Sequence, residues 1–218
     1  MTRNTRMTLA LIAAVVLGVA GLLVVDRANR PSAPAAEGAV DPSVLVRADS
    51  HRLATADDGV TLVEFLDFEC EGCLAAYPAV QRILDTYRGK VTVVVRYFPM
   101  PGHPNSDLAA QAAQAAADQG RFAEMYALLF EGQPTWGHRQ DPQTEVFVGY
   151  ARTLGLDVER FRQDLTDPAT VARVAADRAD GEAAGVTGTP TFFVDGRPLT
   201  DLRTEADLVA AIDAALAG

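Results

Sequence analysis

Thr61-Leu-Val-Glu-Phe-Leu-Asp-Phe68, followed at once by Glu69 and Cys70-Glu-Gly-Cys73, is the stretch on which the fold turns. The run Val60–Phe68 is apolar enough to form a central strand rather than an edge. The period then changes. Leu74, Tyr77, Val80, Leu84 and Tyr87 recur at helical spacing, and Gly89 closes the segment. Pro78 falls inside this helix, where a proline removes a backbone donor and crowds the preceding turn, so a kink is expected. Cys70 and Cys73, the only cysteines of the chain, thus sit where a strand hands over to a helix.

That position has chemical consequences. Unpaired N–H groups and the helix dipole favour an anion at a helix N-terminus, which lowers a thiol pKa and promotes the thiolate, the attacking species. Cys70 is the more exposed candidate, and Cys73, one turn further in, is placed to resolve a mixed disulfide. Three other readings of the pair remain at this point. Zinc would need two further ligands, and His51, His103 and His138 are scattered without metal-like spacing. A structural disulfide across so short a loop constrains the unfolded chain very little. The third is a thiol pair retained in a domain used only for binding.

Working outward, Val91–Phe98 is a second buried strand, and two strands joined by a helix are expected to be parallel. Some 90 residues of almost wholly helical pattern follow, with helices over 105–118, 121–131, 143–154, 157–165 and 168–184. Asp167-Pro168 opens the fifth of these and Gly185 ends it. Gly188-Thr-Pro-Thr191 precedes a strand over 191–194, a turn at Asp195-Gly196, a partner strand near 197–199, and a last helix over 205–217 capped by Thr204. Upstream of the central strand, Ser43–Arg47 reads as a short β-like piece and Asp57-Asp58-Gly59 as a turn. Residues 26–42 read as a flexible tether.

The start of the chain carries Arg3 and Arg6 ahead of Met7–Val25, 19 residues without a charge. A secretory signal has an apolar stretch of roughly 7–15 residues, whereas a spanning helix needs about 20. Length therefore favours an uncleaved membrane anchor. A cleaved signal is the other reading, although the nearest small-residue site, Ala33-Pro-Ala35, lies well beyond the run. Both readings put the rest of the chain outside the cytosol, where disulfides persist. The net charge of -10, with Lys90 the only lysine, argues against a nucleic-acid partner.

Taken together, these motifs resemble the thioredoxin superfamily, and more narrowly its DsbA-like branch, an α/β thioredoxin fold with an all-helical insertion. The resemblance runs over residues 43–217, with the insertion at about 105–185. It is carried by Val63–Cys73, the helix with Pro78, Arg96-Tyr-Phe-Pro99, His103-Pro104, Gln119-Gly120-Arg-Phe, Leu128–Gln133 and Gly188–Phe193. It implies Cys70 as nucleophile and Cys73 as resolving cysteine. It implies Pro190 as a cis-proline facing the disulfide, which leaves the Thr189 backbone free to pair with a substrate strand. It also implies Glu64 as a buried acid beneath the site, relaying a proton, with its pKa raised by desolvation. No cofactor beyond the redox-active disulfide is implied. The partners implied are cysteine-containing secreted proteins and a membrane redox protein that recycles the site. Where the strongest oxidants of the branch carry Pro-His between the cysteines, this chain has Glu71-Gly72. Glu69 and Glu71 are accordingly expected to raise the Cys70 pKa and make a milder oxidant, or even a reductant, leaving the direction of electron flow open. His103 reads as a loop residue making at most a structural hydrogen bond, and Trp136 as packing for the helical block. The function expected is an extracytoplasmic thiol–disulfide oxidoreductase. The alternative is a tethered, non-catalytic binding or chaperone-like module on the same fold.

Overall fold

The computed structural model describes residues 40–218. The Met7–Val25 run and most of the 26–42 tether lie outside the described residues. Among the described residues no helix is long and apolar enough to cross a membrane.

A five-stranded sheet organises the chain. The strands are β1 (His51–Ala54), β2 (Val60–Leu66), β3 (Val91–Tyr97), β4 (Thr191–Val194) and β5 (Arg197–Pro198), in the spatial order β1-β3-β2-β4-β5. As the spacing predicts, β2 and β3 are parallel, and Glu64 stands opposite Val95. β1, β4 and β5 each pair antiparallel with their neighbours. The crossover between β2 and β3 is α2 (Glu71–Thr86), which runs unbroken as helix through Pro78; α1 (Pro42–Leu45) precedes the sheet. Five helices separate β3 from β4: α3 (Ser106–Ala117), α4 (Phe122–Trp136), α5 (Thr144–Thr153), α6 (Val158–Asp164) and α7 (Pro168–Ala183). The last element is α8 (Glu205–Ala217).

Alternation along the central strands divides the core. Leu62, Val93 and Val91 face α2 and α8, packing on Val80, Ile83, Leu208 and Ile212. Val63, Phe65 and Val94 face the other way, onto Leu45, Phe98 and Val186. At the C-terminal ends of β2 and β3, Leu66, Val95 and Tyr97 join Phe68 and the helical block in one large cluster that includes Trp136. Trp136 is fully buried, meets Phe147 edge-on and donates its N–H to the Leu129 carbonyl, so it packs the block.

Three local expectations are corrected. Ser43–Arg47 is not β-like. Asp41 accepts from the Ser43 N–H at 2.9 Å and Pro42 stands at the first helical turn, so the segment caps itself as α1. The end of the expected tether is folded on as well, with the Val40 N–H donating to the Gly196 carbonyl at 2.9 Å. The strand actually present there is His51–Ala54, too short and too polar to show a period. Finally, α4 does not stop near 131. It continues through Pro134 because Phe130, Gln133 and Trp136 all bury their side chains. Tertiary packing here outweighs the missing proline donor.

One buried ionic cluster locks α7 to the sheet. The Arg96 side chain, on β3, is fully buried. Its Nε donates to Asp177 at 2.7 Å, one terminal nitrogen donates to the Val44 and Leu45 carbonyls, and the other donates to Asp180 at 2.5 Å. Asp177 also accepts from the Tyr97 N–H at 3.1 Å and pairs with Arg173. Close approach of α7 depends on Gly181, where a Cβ would stand 2.7 Å from Phe98 and 2.9 Å from Phe65. Removing Arg96 breaks one partner of a buried pair and leaves Asp177 to Arg173 and the Tyr97 N–H, so Arg96→Met is expected to lose about 3 kcal/mol in urea unfolding, while Gly181→Ala loses about 1–3 kcal/mol through overpacking. An unchanged midpoint for Arg96→Met would mean that Asp177 finds other partners.

Candidate active site

The turn from β2 into α2 is built on Asp67. Its carboxylate is buried and accepts from the Glu69 N–H at 2.8 Å and the Met100 N–H at 3.0 Å, and His103 Nδ1 lies 2.6 Å from it. Its own N–H points at Cys73 Sγ, 3.5 Å away, and its carbonyl accepts from the Cys70 N–H at 3.1 Å. Gln133 reaches over from α4 and donates to the carbonyls of Phe68 and Cys70 at 2.8 and 3.0 Å. The loop is thereby held from both sides, and Cys70 becomes the N-cap of α2.

Both cysteines are free thiols, Cys70 half-buried and Cys73 fully buried. Cys70 Sγ donates to the Thr189 carbonyl at 3.3 Å, across from the cis Thr189–Pro190 bond. When Cys70 ionises, the Thr189 hydroxyl, which has no other partner, can donate to the sulfur instead. Hydrogen bonding from the Cys73 thiol outweighs burial, and with help from Thr189 and the Cys73 and Gly72 N–H groups it brings the Cys70 pKa down to about 5. Burial pushes the Cys73 thiol well above its ordinary value, and the charges of Glu64 and Cys70 push the same way. The two sulfurs are thus split into a thiolate at the surface and a protonated thiol below it. Gly72 keeps this surface open, since a Cβ there would stand 3.3 Å from Pro190 and 3.5 Å from Cys70 Sγ. Beside it, a groove of about 300 Å³ runs between α2 and the start of α8, lined by Gly72, Ala76, Pro190, Phe192 and Leu208 among others.

Glu64 lies on the same strand face as Leu62 and Leu66, is 1 % exposed, and neither carboxyl oxygen has a hydrogen-bond partner. Burial alone raises its pKa to about 8. Its charge is felt at Cys73, which places the two groups near one another.

The expectation that Glu69 and Glu71 raise the Cys70 pKa is corrected. Glu69 is fully buried, and its two oxygens accept from the main-chain N–H groups of Asn105 and His138, each at 2.6 Å. Glu71 is exposed and its carboxylate lies 2.8 Å from His138 Nε2; its own N–H and then His138 hold its pKa below the usual range. The hydrogen bonds that Cys70 itself receives set its pKa instead. His103 lies, as expected, in the loop before α3 with a hydrogen bond to Asp67, and it feels the charge of Cys70. Sequence reading gave no role to Asp67, Gln133 or His138, whose partners lie 33 to 69 residues away.

A sequence profile of the thioredoxin family matches residues 51–214. Among solved structures, a thioredoxin-like oxidoreductase from Silicibacter pomeroyi superposes with a TM-score of 0.67 at 30 % identity, over 82 % of this chain and 99 % of that one. BdbD from Bacillus subtilis gives 0.72 at 20 % identity, over 83 % and 97 %, a likeness of fold. Curated relatives named as Na(+)/H(+) antiporter NhaA, from Salinispora arenicola and Herminiimonas arsenicoxydans, are 39 % identical over 184 residues and 37 % over 182. The aligned part is 84 % of this chain but 27 % of each relative, so the chain spans about a quarter of their length. The fold and the paired thiols define a thioredoxin-fold oxidoreductase site. The chain belongs to the thioredoxin family.

The Glu64 pKa of about 8 lies above its unfolded value, so the associated stability is complete below the unfolded pKa and is lost as pH rises through about 8. Measured on the disulfide form, where no thiol titrates, unfolding free energy should fall by on the order of 3–5 kcal/mol between pH 5 and pH 9. Glu64→Gln should abolish most of that fall, and an equally steep fall in the variant would assign it to another group.

Proposed function

We propose that this protein is an extracytoplasmic disulfide oxidant of cysteine-containing proteins, with Cys70 as nucleophile and leaving sulfur and Cys73 as resolving cysteine. The observation that carries the direction is the acid Cys70 thiol, with a pKa of about 5. A stabilised thiolate favours the reduced form of the pair, which makes the disulfide the better oxidant, and it also makes Cys70 the better leaving group.

The reaction runs in two exchanges. A substrate thiolate attacks Cys70 Sγ, the Cys70–Cys73 bond breaks, and Cys73 leaves and takes up a proton. Glu64, protonated at neutral pH, supplies that proton locally and is reprotonated from solvent. A second substrate thiolate then attacks its own mixed-disulfide sulfur and expels Cys70 as thiolate. Two electrons pass from the substrate dithiol to the protein, and the substrate leaves with one disulfide. Thr189 and Pro190 dock the substrate main chain beside the sulfur, since Thr189 already meets Cys70 through its carbonyl. A membrane redox partner re-oxidises the pair, and the Met7–Val25 run tethers the domain.

Reduced, unfolded substrate with two cysteines should be oxidised by the disulfide form and not by Cys70→Ala. Cys73→Ala, mixed with the same substrate in its disulfide form, should accumulate a mixed disulfide at Cys70, visible as a mass increase that dithiothreitol reverses. If Cys70→Ala matches the parent in substrate oxidation, the domain is a binding or chaperone-like module instead.

A further inference from the structure

The dipeptide between the cysteines contains no cation, yet a titratable ring from another part of the chain stands on Asp67, whose carbonyl accepts from the Cys70 N–H. His103 lies in the loop between β3 and α3, 22 % exposed at its side chain, with Nδ1 against the buried Asp67 carboxylate at 2.6 Å. A carboxylate only accepts, so Nδ1 carries the hydrogen and Nε2 is the site that gains or loses the proton. The charged and titratable groups facing the ring are Asp67 and Glu69 from the loop after β2, Cys70 and Glu71 at the start of α2, and His138 after α4, whose ring lies 5.5 Å from it. Asp67, through its hydrogen bond and charge, acts on the ring most strongly, followed by Cys70 and then Glu69, all favouring its charged form. Only the charge of Cys70 changes with redox state.

We propose that His103, held by Asp67, is a proton-linked positioning residue for the Cys70 thiolate, protonated when the pair is reduced and released from its proton when the disulfide forms. Burial of the ring opposes its charged form but is outweighed by the hydrogen bond and charge of Asp67 and by the charge of Cys70, so the His103 pKa is raised in the dithiol form. The bookkeeping is as follows for reduction by two molecules of a monothiol such as glutathione. The S–S bond takes two electrons, glutathione becomes its disulfide, and two protons arrive from the two thiols. One goes to Cys73. With Cys70 left as thiolate, the other is shared between His103 Nε2 and solvent.

The inference rests on dithiol–disulfide cycling at Cys70 and Cys73. The test uses the full chain, with the His103 ring pKa followed by NMR in the dithiol and disulfide forms. We expect the dithiol form to bind the ring proton about tenfold more tightly. A companion measurement reads the reduced-to-oxidised ratio at fixed glutathione composition between about pH 6 and pH 8. In the parent this ratio should rise only about threefold per pH unit where the ring titrates, because a tenfold difference in affinity takes up about half a proton. In His103→Gln it should rise about tenfold per pH unit, about 30 mV for a two-electron couple, because the second proton now goes to solvent. Equal ring pKa values in the two redox states, or the same slope in parent and variant, would falsify the linkage while leaving the cycling intact. Failure of the parent to exchange with glutathione at all would instead overturn the function proposed above, and this inference with it.

Discussion

A single buried carboxylate, Asp67, fixes the geometry on which the site depends. Four of its contacts converge on the strand-to-helix turn: Glu69 and Met100 through their N–H groups, His103 through its ring, and Cys73 through the Asp67 N–H. The turn has no regular ladder to satisfy its backbone, so a side chain must do so, and a short acid at the end of a strand is suited to that. The consequence is positional. Cys70 is placed as the helix N-cap facing Thr189, while Cys73 points inward beneath it.

From that placement the acid–base character of the site follows by environment. Cys70 keeps contact with solvent and collects hydrogen-bond donors, so its thiol is acidic; Cys73 and Glu64 are sealed under α2, so both hold their protons. Glu64 stands opposite Val95, and neither of its oxygens is paired, so desolvation acts on it without offset. An unpartnered buried acid is a stability cost for the fold. In the exchange proposed above, that cost places a held proton beside an inaccessible sulfur.

Much of this was legible in the residues. β2, β3, α2 and α8 announce themselves through period and capping because their faces are bounded by the sheet they form. The cysteine pair and the Thr-Pro partner are local patterns and were readable as such. β1 was not, because His51–Ala54 is an edge strand whose burial comes from β3 rather than from its own alternation. The end of α4 was hidden behind Gly132 and Pro134, both poor helix residues that the packing of Gln133 and Trp136 overrides.

The acidity of Cys70 was misjudged for a more general reason. Counting charges near a residue in sequence assumes that they are free to act on it. Glu69 is adjacent to Cys70 in the chain, yet its carboxylate is spent on two amides from loops 36 and 69 residues away. His103 is 33 residues from Cys70 and yet feels its charge, because Asp67 holds the ring at that turn. The net charge of -10 says little about the potential at one sulfur. In a site assembled from loops, the acidity of a sulfur is set by which charges and hydrogen-bond donors the fold brings to it, and that arrangement exists only in the folded chain.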